Sequence, residues 1–228
     1  MTLTFVGSEP QAGDVRSFKF KPDHPTTWVP GQYLHLVLPH EGEDDRGHKR
    51  WFTISAAPSD GTLAISTRIV AEHPSTFKQA LAALKPGDTL ECDELDGDFV
   101  LGDPARNYIF VAGGIGVTPY HSILREAGVQ HNMPHATLVY GTRDNNIPFK
   151  AEFDELQRAN PNLKIEYVVA PEAIDKDRLQ KAIASVDKPI VYVSGPEPMV
   201  EVFVKDLEEL GMPKDDIKTD YFPGYTVI

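Results

Sequence analysis

The stretch YIFVAGGIGVTPYHSILREAG, residues 108–128, decides how the chain is read. An apolar run rich in β-formers ends in glycines, and an amphipathic helical pattern begins a few residues later. Gly113, Gly114 and Gly116 let the backbone approach a ligand and take positive φ. The common dinucleotide fingerprint asks for a third glycine where Pro119 stands. Thr118 is a good N-cap and Pro119 suits the first helical position, so the spacing predicts a capped helix whose start favours phosphate. A purely structural strand–helix turn is the alternative.

Downstream the same alternation recurs. ATLVYG (136–141) precedes KAEFDELQRA (150–159), KIEYVVA (164–170) precedes DRLQKAIASV (177–186), and IVYVSG (190–195) precedes PMVEVFVKDLEELG (198–211). IKTDYF (217–222) adds a last strand. Strands alternating with helices predict a doubly wound α/β domain with a mostly parallel sheet. In strand order 3-2-1-4-5 the first and fourth strands are neighbours and flank the switch point, where such sheets bind ligands. The fourth strand ends in a second glycine turn, SGPEPM (194–199), which strengthens the first. YGTRDN (140–145) offers Gly141 and Arg143 to a nucleotide, the guanidinium to an adenosine ribose or a 2′-phosphate; an exposed loop arginine is the alternative.

Upstream the texture differs. LTFVGSE, VRSFKFKP, QYLHLVLP, RWFTIS, TLAISTRIV and TLECDEL are short β-rich runs separated by turn signals, with one helical stretch, PSTFKQALAAL (74–84), between the last two. Six strands and one helix predict a small antiparallel β-barrel. The boundary is expected near Gly102, giving a barrel over 1–102 and an α/β domain over 103–228. On the strand RWFTIS, Arg50 and Phe52 share one side, with Trp51 and Thr53 on the other. Ser75 and Thr76 open the helix and can donate to phosphate.

The chain has 228 residues, 41% hydrophobic and 25% charged, as expected of a soluble globular protein. No apolar run reaches membrane-spanning length and the start MTLTFVGSEPQ lacks signal-peptide features, so the expected location is cytoplasmic. A net charge of −12 disfavours nucleic acid and anionic membrane as partners. The single cysteine, Cys92, excludes a disulfide framework and a cluster held by this stretch alone, and it reads as a small core residue. No metal site is expected; His131 and His135 flank Pro134 in a loop.

Together the two halves resemble the ferredoxin–NADP reductase family of flavoproteins. RWFT matches its Arg-x-Tyr-Ser/Thr flavin motif with Phe52 for tyrosine, GGIGVTP matches its nucleotide loop, and SGP stands where Cys-Gly-Pro is common. The resemblance implies FAD and NAD(P)H as cofactors. It implies that Arg50 holds the FAD pyrophosphate, that Phe52 packs on the isoalloxazine with Trp51 beside it in the motif, and that Thr53 bonds near flavin N5. Thr67 and Ile69 would line the flavin through their backbone, and Ser75 and Thr76 would meet its phosphates. Gly114, Gly116 and Thr118 would approach NAD(P), with Ser194, Gly195, Pro196 and Met199 bordering the nicotinamide. In the closing DYFPGY, Phe222 would lie by the flavin, or else be a core aromatic.

The implied activity is hydride transfer from a nicotinamide to flavin, then electron release to a separate acceptor, with Thr53, Ser194 and Phe222 setting the geometry. Ferredoxin or flavodoxin is the implied acceptor, and Lys49, Arg50 and Arg68 the only hint of a basic patch to meet one. The alternatives are the reductase component of a larger electron-transfer complex, and a non-catalytic nucleotide-binding module.

Overall fold

A computed structural model describes residues 1–70, 75–103 and 105–222. The first half contains β1 (Thr2–Ala12), β2 (Val15–Pro22), β3 (Tyr33–Val37), β4 (Lys49–Thr53), β5 (Leu63–Arg68), α1 (Thr76–Ala83) and β6 (Thr89–Asp96). Its strands form one antiparallel sheet in the order β4-β3-β6-β1-β2-β5. A single antiparallel bridge, Ile54 to Ile65, joins the two ends and closes the barrel. Alternation fills the inside: Leu3 and Phe5, Phe18 and Phe20, and Leu34 and Leu36 are all buried in one cluster. Phe77 and Leu81, one turn apart on α1, plug one end of it.

The second half contains β7 (Tyr108–Gly113), α2 (Thr118–Val129), β8 (Ala136–Thr142), α3 (Lys150–Ala159), β9 (Leu163–Val169), α4 (Lys176–Ala184), β10 (Ile190–Pro196), α5 (Glu197–Glu209) and β11 (Ile217–Phe222). The five strands are parallel in the order β11-β10-β7-β8-β9, which is the expected 3-2-1-4-5. Being buried on both faces, β7 is apolar throughout. Phe110, Ala112 and Tyr140 pack with Tyr120, Leu124 and Phe153 of α2 and α3. Ile109, Val111, Val139 and Val193 pack with Leu179, Phe203 and Leu207 of α4 and α5. Burying each of these larger side chains contributes about 2 kcal/mol.

One local expectation is corrected. Thr118 is not the N-cap of α2: a 3₁₀ turn, Gly114–Val117, runs straight into the helix and Thr118 is already helical. Its buried hydroxyl donates back to the Ile115 carbonyl at 3.1 Å. Among the described residues, no helix is long and apolar enough to cross a membrane.

Candidate active site at the domain junction

The two glycine loops meet at the carboxyl ends of β7 and β10, which are hydrogen-bonded neighbours. They interlock closely. A Cβ on Gly116 would stand 2.3 Å from the Ser194 carbonyl oxygen, and one on Gly113 would stand 2.2 Å from Met199 Sδ. Met199 is therefore a buried brace beneath both loops. Gly114 differs: it has φ +54°, and a Cβ there would meet only the Arg68 guanidinium, at 3.7 Å. An open glycine backbone beneath a cation fits an anionic ligand such as a dinucleotide pyrophosphate.

Beside these loops three polar side chains converge from three elements. Thr53 ends the barrel strand β4, Ser194 lies on β10, and Asp220 lies on β11, in register with Ser194. The Ser194 hydroxyl donates to Asp220 Oδ2 at 3.4 Å, and the Thr53 hydroxyl also bonds this carboxylate. Thr53 and Ser194 are buried, and Asp220 is half-buried. Burial, helped by the charge of Asp98, pushes the Asp220 carboxyl up to about 6, while the two hydroxyls pull against that rise. Sequence reading brought Thr53 and Ser194 forward but passed over Asp220.

The barrel mouth lies next to this cluster. The register of the Ile54–Ile65 bridge sets Phe52 opposite Thr67 and Arg50 opposite Ile69, yet no ladder bond joins the two strands there among the described residues. The pairing of the two strands ends at that bridge. Arg50 and Phe52 share one side of β4, as alternation requires, and Phe52 packs against the barrel core. Their neighbour Phe77 lies 5.3 Å from the guanidinium and 5.8 Å, centroid to centroid, from the Phe52 ring. Thr67 is buried on β5, and the Ile69 N–H is taken by the Asp14 carbonyl. Ser75 caps α1, accepting from the Lys78 N–H at 3.2 Å, and the Thr76 hydroxyl bonds His40 Nε2 at 2.9 Å. Aromatic rings, a helix start and a guanidinium that would have to exchange its Asp44 partner for phosphate are the kinds of group a flavin dinucleotide needs.

Other residues lie apart. Trp51 stands on the outer face of the barrel, 49% exposed and stacked on His35 at 3.8 Å, away from Arg50 and Phe52. Gly141, next to last in β8, pairs with Gly113, and Arg143 is exposed with no ion pair among the described residues. Phe222 is half-buried in register with Pro196, and the remainder of DYFPGY from residue 223 lies outside the described residues. The suggested basic patch is neutralised: Lys49 pairs with Asp93 at 2.7 Å, Arg50 with Asp44 at 2.7 Å, and Arg68 with Asp14 at 3.3 Å. Cys92 is buried in the barrel core, where burial pushes its thiol up.

Fold and site define a class, the two-domain oxidoreductase in which a flavin barrel abuts a pyridine-nucleotide sheet. The family profile of the oxidoreductase NAD-binding domain matches residues 110–205. The chain is 28% identical to Flavohemoprotein A of Dictyostelium discoideum over 95% of this chain and 58% of that protein. It is 29% identical to Ferredoxin–NADP reductase B of Sorangium cellulosum over 84% of each. It shares its fold with Amycolatopsis cytochrome P450 reductase GcoB, at TM-score 0.83 and 23% identity over 97% of this chain and 70% of that one. These likenesses support a ferredoxin–NADP reductase-like, FAD- and NAD(P)-binding oxidoreductase. The chain spans little more than half the length of the flavohemoproteins it matches.

Proposed function

We propose that the chain is an FAD-dependent NAD(P)H oxidoreductase passing electrons from a nicotinamide through the flavin to a separate acceptor. The observation that carries this is the convergence of Thr53 from the barrel and Ser194 from the nucleotide sheet on the shared carboxylate of Asp220. In this reading residues 1–102 hold the flavin and residues 103–228 the nucleotide. Bound FAD supplies the chemistry that takes a hydride from the nicotinamide and releases electrons onward.

The protein's own part is alignment and electrostatics. Arg50 and the α1 start at Ser75 and Thr76 hold phosphate. Phe52 and the backbone of Thr67 and Ile69 flank the ring system, with Phe222 near it. Gly114, Gly116 and Thr118 shape the nucleotide loop, and Gly141 and Arg143 border the adenosine end. Ser194, Gly195 and Pro196, braced by Met199, form the wall on the nicotinamide side. Thr53 and Ser194 fix Asp220 between the two cofactors, and its ionisation sets the local field.

The acceptor is a ferredoxin or flavodoxin, or a centre in a larger assembly of which this is the reductase part. The ion pairs on Lys49, Arg50 and Arg68 favour the second, since acidic ferredoxins dock on free basic patches. Purification with FAD, followed by anaerobic NADH or NADPH, tests the whole reading. Bleaching of the flavin band supports it. A chain that takes up no FAD, or whose flavin stays oxidised, is a nucleotide-binding module instead.

A further inference from the structure

The loop that joins β3 to β4, residues 38–48, carries Glu41, Glu43, Asp44 and Asp45 within five positions, with Arg46 directly after them. Its base is tied, the Leu38 N–H donating to the His48 carbonyl at 2.9 Å. Its tip lies against the start of α1. The Asp44 N–H donates to the Thr76 hydroxyl at 3.1 Å, and the same hydroxyl lies 2.9 Å from His40 Nε2. Gly42 and Gly47, at φ +68° and +66°, bracket the tip and give it two hinge points.

The same tip takes the arginine of RWFT. Arg50 Nη2 donates to Asp44 Oδ1 at 2.7 Å, and Nη1 donates to the carbonyls of Arg46 and Gly47 at 2.8 and 2.9 Å. The Asp44 carboxylate is fixed in turn by the Arg46 N–H at 3.0 Å and the Arg46 guanidinium at 3.1 Å. The Arg50 side chain is 16% exposed and that of Asp44 26%, so salt screens this pair less than a surface pair. Ser75, the other hydroxyl at the helix start, caps its own helix. Arg50 and Thr76 come from different elements, yet one loop engages both. A carboxylate and a phosphate both suit the guanidinium fork, so the two compete for the same donors.

We propose that the β3–β4 loop is a latch over the flavin phosphate site, with Asp44 an internal competitor for Arg50, so that FAD loads by displacing a carboxylate. This rests on the reading given above, in which Arg50 and Thr76 meet the FAD phosphates. The apparent affinity for FAD is then the intrinsic affinity reduced by the share of molecules whose latch is open. The latch also selects among flavins. A diphosphate supplies acceptors for the donors that Asp44 gives up, whereas a flavin without phosphate has nothing to exchange and leaves the latch closed.

The test titrates the full chain, stripped of flavin, with FAD and with riboflavin, and reads flavin fluorescence. Asp44→Asn keeps the shape of the side chain and removes its charge. It should bind FAD about tenfold more tightly than wild type, the lower end of what a hydrogen bond to a charged group contributes. Its affinity for riboflavin, which carries no phosphate, should not change. Asp45→Asn removes the same charge from the exposed neighbour and should tighten FAD binding by less than about twofold. Hydrogen exchange on the apoprotein gives a readout without flavin. Inorganic pyrophosphate should speed exchange of the Asp44 and Arg46 amides, whose bonds belong to the closed latch. An Asp44→Asn variant with unchanged or weaker FAD affinity overturns the proposal. So does one in which riboflavin gains as much as FAD, or one that Asp45→Asn matches, because shape or general charge would then be the cause. Should Asp44→Asn not fold, the exchange measurement decides, and amides that pyrophosphate leaves unchanged or slows overturn the latch. Should the chain bind no FAD, the hydride-transfer reading fails while pyrophosphate still reports on the latch, so the two failures remain distinct.

Discussion

Ser194 and Asp220 are register partners on the neighbouring parallel strands β10 and β11, and the serine hydroxyl donates to the carboxylate across 3.4 Å. Thr53 reaches the same carboxylate from the barrel. One acid is thereby shared by both halves of the molecule.

Asp220 should make stability and rate move in opposite directions with pH. Its folded-state value, about 6, lies above the ordinary 3.8. Below 3.8 both folded and unfolded forms are protonated and the group is neutral to stability; between 3.8 and 6 the unfolded form ionises while the buried one stays protonated, so stability falls across that window and levels off above it. Asp220→Asn should therefore be more stable than wild type at pH 8, by about 3 kcal/mol, with the gap closing toward pH 4. Flavin reduction in the same variant should slow by about tenfold or more. Thermal melts across that range, beside stopped-flow bleaching, check both.

Ser194→Ala removes a donor that lowers the Asp220 value. The pH dependence of flavin reduction should shift upward relative to wild type, with FAD content unchanged. An unmoved profile would show that the hydroxyl does not act through Asp220.

Gly116→Ala tests the interlock of the loops. Its methyl group would sit 2.3 Å from the Ser194 carbonyl oxygen, which is backbone and cannot swing aside. A loss of about 1–3 kcal/mol of stability is expected, with Ser194 displaced and NADH affinity reduced. Denaturant unfolding and nucleotide titration read the two effects.

Arg50→Ala should weaken FAD binding by about tenfold to a hundredfold, the worth of one or two hydrogen bonds to a charged group. The loop that supplies Asp44 and the Arg46 and Gly47 carbonyls to this guanidinium should loosen as well. Fluorescence of released flavin measures the first, and hydrogen exchange over residues 43–48 the second.

Arg143 is exposed beyond β8. If it reads a 2′-phosphate, Arg143→Ala should raise the KM for NADPH by about tenfold and leave NADH unaffected. Equal effects on both coenzymes would remove this role.

The α/β half was legible because its signals are local. Each strand is an apolar run, each helix has its own 3.6-residue stripe, and two glycine loops required β7 and β10 to be neighbours, as they are. The barrel was legible as alternating strands with one helix. Asp220 was not, because in IKTDYF an acid on an alternating strand reads as a solvated edge residue. Its importance comes from its register with Ser194 and from Thr53, which lies in the other half of the chain. A signal was present: alternation puts Asp220 on the same side of β11 as Phe222, the residue already expected beside the flavin. Thr118 misled for the opposite reason, since a local cap rule gave way to a 3₁₀ turn fed directly by the glycine loop. Contacts of α2 with the barrel, such as the Ser122 hydroxyl donating to the Ala56 carbonyl, were invisible because the partners are distant in sequence.

The single bridge that closes the barrel has a consequence for folding. Past Ile54–Ile65 no ladder bond joins β4 to β5 among the described residues. Open strand edges are templates for a strand from another chain. A ligand that bound the closed barrel and not the opened one would shift the balance toward the closed form, and protection against aggregation would then rise with its concentration.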